Sequence, residues 1–166
     1  MKTKVVGIVL ALLLLCAFFT ACAPHTDYFE PFRSAFEAEV QGSLNGVAFT
    51  ALLQAKAAPE AGGSREVTVT FYAPEALKGT EARRSADGSV TLSSGEVIVE
   101  EASAKGLGAL FDLFPLAGTV SGVELTAEEH TKVTGEGFVL TFLASGTPLA
   151  IETPTVTAKV VHFEKK

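Results

Sequence analysis

Hydrophobic and polar residues alternate along most of the chain after position 35. In the first such stretch, 36–41, the apolar residues are separated by glutamate and glutamine, and the same period of two recurs at 47–54, 67–73 and 138–143. A period of two puts successive side chains on opposite faces, which is typical of a half-buried β-strand. Shorter strands are predicted at 81–85, 89–93, 96–100, 119–126, 149–152 and 155–163.

Turn signals separate these stretches. Asn45-Gly46 and Asp87-Gly88 are strong signals for two-residue hairpin loops, and Ser94-Gly95 is a further turn. Pro74 is predicted to end the strand before it, and residues 58–64 are predicted to form a flexible loop. Short strands joined by tight turns indicate an antiparallel sheet.

One segment changes to the helical period. Its apolar residues lie at i, i+3, i+4 and i+7, which places them on one stripe of a helix: Leu107, Leu110, Phe111 and Phe114. With Ser103 as a cap and Pro115 as a stop, the pattern predicts a helix over about 104–114. A brief helical turn is also predicted near Asp27, with Pro31 in its first turn.

The first residues are typical of a secretion signal. Lys2 and Lys4 precede an uncharged apolar run over 5–15. The following Phe19-Thr20-Ala21-Cys22 resembles the lipobox of bacterial lipoproteins. This resemblance implies signal peptidase II cleavage between Ala21 and Cys22 and a diacylglycerol or acyl anchor on the Cys22 thiol. Cys16 follows a bulky leucine and would be lost with the signal.

The resemblance to a lipobox, together with the length and strand pattern of the remaining chain, predicts a domain plan and a location. Residues 1–21 are the signal peptide, 22–30 a lipidated cysteine with a tether, and 31–166 a single antiparallel β domain. We expect the domain on the extracytoplasmic face of a cell membrane, held there by the lipid. Two alternatives are a transmembrane helix over 5–23 and an ordinary secretory signal.

Charge and motifs narrow the classes of function. The chain has 13 basic and 19 acidic residues, a net charge of −6, and becomes more acidic when Lys2 and Lys4 are removed. We therefore expect no nucleic-acid partner. No nucleophile-elbow or phosphate-loop motif occurs. The titratable cluster Glu128-Glu129-His130 is interpreted as a solvated turn, since a zinc site needs further ligands. No metal or cofactor is expected apart from the acyl anchor.

The order of elements also resembles a known fold. Residues 71–74 (FYAP), 86–88 (ADG), the 107–114 stripe, 137–140 (GFVL) and 146–149 (GTPL) look like the lipoprotein-localisation family of LolA and LolB. The resemblance implies a curved antiparallel half-barrel, with the helix on its concave face and an acyl ligand between them. It implies these ligand-lining residues: Val69, Phe71, Leu107, Leu110, Phe111, Phe114, Leu140 and Phe142. Arg83 or Arg84 could contact the ligand, and exposed strand charges are the alternative.

These observations lead to competing functional hypotheses. The first is a non-enzymatic, membrane-anchored lipoprotein that binds a lipid or another apolar ligand. The second is an envelope lipoprotein that binds a protein partner and no small ligand. A third is a hydrolase without a recognisable motif. The predicted lining residues could equally close a dry core, in which case no ligand space exists.

Overall fold

The computed structural model describes residues 26–59, 64–100 and 106–166, with no side-chain description at 98–100. The predicted signal peptide, Cys22 and most of the tether lie outside the described residues, so what we expect of them stays a prediction. In the described ranges, no helix has both the length and the apolarity needed to cross a bilayer.

The described residues form eleven strands and a few short helical turns. The helices are α1 (Glu30–Arg33) and α2 (Gly108–Phe111), with a 3-10 turn at Glu75–Leu77. The strands are β1 (Phe36–Leu44), β2 (Val47–Ala55), β3 (Val67–Ala73), β4 (Glu81–Arg84), β5 (Val90–Ser94), β6 (Val97–Glu100), β7 (Val120–Leu125), β8 (Thr131–Gly135), β9 (Phe138–Phe142), β10 (Pro148–Glu152) and β11 (Val156–Lys165).

All eleven strands belong to one open antiparallel sheet. Their order is β6-β5-β4-β3-β2-β1-β11-β10-β9-β8-β7. Every neighbouring pair is consecutive in sequence except β1 and β11, which join two meanders along the middle of the sheet. Within the described chain, β6 and β7 are the two edges. The prediction of a mainly β, antiparallel fold is confirmed.

Two local predictions need correction. Strand β8 was not predicted, because Val133 is its only large apolar residue. The 104–114 helix is shorter in the described part: α2 spans only Gly108–Phe111, and 101–105 lie outside the described residues. Gly106 and Gly108 weaken a helix, and Pro115 disfavours helical geometry at Phe114 before it. Leu113 and Phe114 are nevertheless buried.

The core lies on one face of the sheet. Burial alternates along β1, β2, β3 and β9, so that one set of side chains is buried and the other half-exposed. The buried set includes Ala38, Val40, Ala51, Leu53, Val69, Leu140 and Ile151. The described residues therefore form one continuous hydrophobic core, and we expect residues 26–166 to fold without residues 1–25.

A cluster of phenylalanine rings closes the core between α1 and the sheet. Phe32 of α1 has no exposed surface, and its ring centroid lies 5.1 Å from that of Phe114 and 6.1 Å from those of Phe142 and Phe163. Phe36 packs edge-on against Phe114 at 4.9 Å. Such aromatic pairs stabilise a core by about 0.5–1.5 kcal/mol beyond the area that they bury.

Gly42 allows β1 and β11 to approach closely. It pairs with Ala158, and a Cβ added at Gly42 would overlap the carbonyl oxygen of Thr157 and lie 2.8 Å from the Ala158 Cα. Because these are backbone atoms, they cannot turn aside as a flexible side chain would. The pairing of the two meanders therefore requires glycine at this position.

We expect Gly42→Ala to lower the free energy of unfolding by about 1–3 kcal/mol, since the added methyl group must push β1 from β11. The matched control is Gly122→Ala in β7, where a Cβ meets nothing within 4 Å. That variant should be neutral or stabilising by up to about 1 kcal/mol, because alanine has less backbone entropy to lose. Urea denaturation of both variants measures the difference, and equal effects would contradict this account.

Candidate functional site

An apolar groove lies beside the β5–β6 end of the sheet, which we call the edge groove. It has a volume of about 190 Å³ and is lined by Phe71, Leu77, Thr80, Leu92, Ser93, Ser94, Val97 and Leu107. Phe71 belongs to β3, and Leu77 comes from the 3-10 turn that follows β3. Leu92 and Val97 come from β5 and β6, and Leu107 immediately precedes α2.

The chemistry of the edge groove is that of an apolar binding site. Its walls are almost wholly apolar, and Thr80, Ser93 and Ser94 are the only polar residues among those that line it. None of its described lining side chains is titratable, so these walls offer no acid or base for catalysis. Leu77 and Val97 are 37% and 64% exposed, which leaves apolar surface open to solvent at the rim.

The predicted ligand-lining residues do not all lie at one site. Phe71 and Leu107 line the edge groove. Val69, Leu110 and Leu140 are buried in the core, Phe142 packs on Phe32, and Phe111 and Phe114 border a different cavity. The structure thus brings two of the eight predicted residues to this groove. Ligand contact by any of them stays a prediction.

A wider depression of about 610 Å³ lies beside α1. It is lined by Tyr28, Phe142 and Phe163, together with residues 143–148. Lys165 and Glu30 also line it, and their side chains form an ion pair at 2.9 Å. Polar and apolar surface contribute about equally to its walls, whereas those of the edge groove are nearly all apolar. We therefore favour the edge groove as the site for an apolar ligand.

Two arginines border a third cavity, which we call the arginine pocket. It has a volume of about 420 Å³ and is lined by Ser64, Arg65, Arg84, Phe111, Asp112, Phe114, Pro115, Leu116 and Ala117. Arg65 is only 4% exposed, and its burial was not predicted from the sequence. One alternative predicted for Arg83 and Arg84 is that both are exposed strand charges. Arg83 is indeed exposed, but the Arg84 side chain is only 15% exposed.

Hydrogen bonds fix both guanidinium groups. Arg65 donates from Nε to the Lys56 carbonyl at 2.7 Å and from Nη2 to the Ser34 carbonyl at 2.9 Å. Arg84 donates from Nε to the Arg65 carbonyl at 3.1 Å and from Nη1 to the Asp112 carboxylate at 2.6 Å. Through these bonds Arg65 is held to Ser34 and Lys56, and Arg84 links Arg65 to Asp112, which follows α2.

The Phe36 ring and the positive charge of Arg84 also lie near Arg65. Its guanidinium lies 4.5 Å from the centre of the Phe36 ring, a cation–π arrangement. Burial lowers the pKa of Arg65 to about 10, and the positive charge of Arg84 acts in the same direction. Arg65 is therefore a cation in surroundings that disfavour its charge.

The Glu128-Glu129-His130 cluster lies in the turn between β7 and β8, as predicted. The Glu128 side chain is 81% exposed, and its carboxylate lies 3.4 Å from the His130 Nδ1. Across the described ranges, no group of three metal-ligating side chains comes together.

Comparisons with known proteins concern the fold. No family model matches the chain, and no curated protein matches it. Among solved structures, an uncharacterized conserved protein from Thermus thermophilus is 18% identical, with a TM-score of 0.48 and 82% coverage of both chains. A LolA superfamily protein from Nitrosomonas europaea is 8% identical, with a TM-score of 0.39, over 81% of this chain and 87% of that one. Likeness at this level assigns neither family nor function.

Leu107 and Leu110 belong to the same predicted stripe but should respond differently to truncation. Leu110→Ala should lower the free energy of unfolding by about 2–5 kcal/mol, because Leu110 is 1% exposed and its loss leaves a cavity. Leu107→Ala should cost clearly less, because Leu107 is only partly buried at the groove. Chemical denaturation of the pair tests this assignment, and an equal loss would place Leu107 in the core instead.

Proposed function

We propose that the protein is a membrane-anchored extracytoplasmic lipoprotein that binds one apolar chain, such as an acyl chain, in the edge groove, without catalysing a reaction. The observation that carries this proposal is the groove itself: Phe71, Leu92 and Leu107 form apolar walls, with Leu77 and Val97 at a solvent-exposed rim. Apolar pockets with few polar groups are typical of sites for small hydrophobic ligands.

The energetics of the groove support an apolar occupant. Covering exposed apolar surface is favourable by about 25 cal/mol per Å², and no charged group among the described lining residues must be desolvated. The volume of about 190 Å³ is below the roughly 300–1,000 Å³ of pockets for drug-sized ligands. A single flexible chain suits this size better than a compact ring system.

The wider architecture in this proposal is a half-barrel. In this proposal the open antiparallel sheet curves around the segment 107–117, and α2, which lies near β3, occupies the concave face. This arrangement is supported by the burial of Leu110, Phe111 and Phe114 against the buried face of the sheet. Of the remaining predicted lining residues, Val69 and Leu140 would meet a ligand only if this segment moved away from the sheet, whereas Phe142 borders the depression beside α1.

A second candidate function is the binding of a protein partner along β7. This edge strand pairs only with β8 within the described chain, and Val123 and Leu125 on it are 48% and 74% exposed. An unpaired strand edge with exposed apolar residues can accept a strand from another chain. In this alternative the protein is an interaction lipoprotein of the cell envelope that holds no small ligand.

Native mass spectrometry of residues 23–166, made in cells with membranes present and purified without detergent, tests ligand binding. We expect a reproducible added mass that extracts as lipid, and enhanced fluorescence of the neutral probe N-phenyl-1-naphthylamine. Val97→Glu should abolish both signals, because it puts a charge at the rim of the groove. The matched control Val123→Glu, in the exposed edge strand β7, should keep both.

Two other results would favour the second candidate function over ligand binding. A clean apo mass with no probe uptake would overturn the ligand-binding proposal. Crosslinking in whole cells then tests the second candidate: a protein partner captured by the wild type and lost in Val123→Glu, but kept in Val97→Glu, would support it.

The anchor is tested by metabolic labelling of the full chain with palmitate. The wild type should incorporate label and lose residues 1–21, because the resemblance to a lipobox makes the Cys22 thiol the acceptor. Cys22→Ala should incorporate no label and keep the signal peptide. Cys16→Ala, the matched control, should behave as the wild type. Label that persists in Cys22→Ala and disappears in Cys16→Ala would contradict the assignment.

A further inference from the structure

The arginine pocket carries more positive charge than its partners neutralise. Two guanidinium groups border it, whereas Asp112 is the only carboxylate among the described residues that line it. Asp112 pairs with Arg84 and is itself 69% exposed. Arg65 forms no ion pair with any described residue and is bound only by backbone carbonyl oxygens and the Phe36 ring.

The donors of Arg65 are not exhausted by these contacts. Of its five N–H groups, those on Nε and Nη2 make the two hydrogen bonds, and Nη1 makes none within the described chain. No described side-chain nitrogen is both fully buried and unsatisfied, so Nη1 keeps access to solvent. Because Arg65 lines the arginine pocket, we place the free donors of Nη1 at that cavity.

The strand register places both arginines on the face of the sheet that borders this cavity. Arg84 pairs with Val67 at the end of β4 and lies two positions from the buried Ala82. Arg65 lies two positions before Val67, so both project from the buried face of the sheet. Arg83 projects from the other face, where it pairs with Glu66 at 3.6 Å.

We propose that the arginine pocket binds a phosphate group, supplied by a soluble phosphate or by a lipid headgroup. Guanidinium groups recognise phosphate through paired charge-assisted hydrogen bonds. The fixed positions of Arg65 and Arg84 mean that little side-chain entropy is lost on binding. The neighbouring Phe114, Pro115 and Leu116 give one side of the cavity an apolar wall, which suits a phosphate attached to an apolar body.

Asp112 acts as a competitor in this proposal. Its carboxylate accepts a hydrogen bond from Arg84 Nη1, but its high exposure allows it to turn into solvent when phosphate binds. Its removal should therefore improve binding, which is the reverse of what a damaged fold would cause. The site does not rest on the edge groove, so the two proposals fail independently.

The site is tested by titrating residues 23–166 with inorganic phosphate at constant ionic strength, with chloride as the reference anion. Binding is measured by calorimetry and by the NMR signal of the Arg65 Nε–Hε group. We expect saturable binding and a shift of that signal. Arg84→Gln should weaken binding about tenfold or more, since it removes a charged hydrogen-bond donor. Arg83→Gln, which removes the same charge from the opposite face, should change it less than about threefold, because exposed charges are screened. Asp112→Asn should tighten binding several-fold.

A parallel titration with dihexanoyl phosphatidic acid and with neutral dihexanoylglycerol distinguishes the two sources of phosphate. Equal affinity for phosphate and phosphatidic acid supports a soluble ligand, and tighter binding of phosphatidic acid alone supports a lipid headgroup. Thermal melting identifies any variant that fails to fold, and Asp112→Asn remains a test by gain of affinity. Absence of binding of both inorganic phosphate and dihexanoyl phosphatidic acid by the wild type, or equal losses in Arg83→Gln and Arg84→Gln, would overturn the proposal.

Discussion

The pairing of β1 with β11 is the constraint on which the rest of the structure depends. All nine residues of β1 have partners in β11, although the two strands are separated by most of the chain. Each of the other strand pairs joins sequence neighbours, so each meander can form locally. Only the central pairing brings the buried residues of the two meanders onto one continuous face. Joining strands so far apart in sequence costs more chain entropy than joining neighbouring strands.

Much of the sheet could be predicted because its strands obey a simple rule. Where apolar and polar residues alternate, as in β1, β2, β3 and β9, a strand follows from the need to bury one face. Strand β8 lacks this signal, since Val133 is its only buried residue and its position is set by pairing with β7 and β9. The apolar stripe at 107–114 was a weaker guide to the helix, because a chain that leaves the helix after Phe111 still buries Phe114.

The sites were less accessible to sequence reasoning than the sheet. Phe71 and Leu107 were identified, but Leu77, Leu92 and Val97 join them only through the pairing of β4, β5 and β6 and the position of the 3-10 turn. Arg65 follows a stretch interpreted as a flexible loop. The alternation of β3, extended back from Val67, places Arg65 on the buried face, but arginine is rarely buried, so this pattern alone does not predict a buried Arg65.

The last residues of β11 return to the beginning of the domain. The Lys166 amide donates to the Ala35 carbonyl at 2.9 Å, and Lys165 forms its ion pair with Glu30. Any segment joined to Lys166 would therefore emerge beside α1, at the same end of the sheet as the start of β1. The Asn45-Gly46 turn lies at the opposite end of β1. A fluorophore or affinity handle placed at that turn would stand away from α1, whereas one fused after Lys166 would lie beside it.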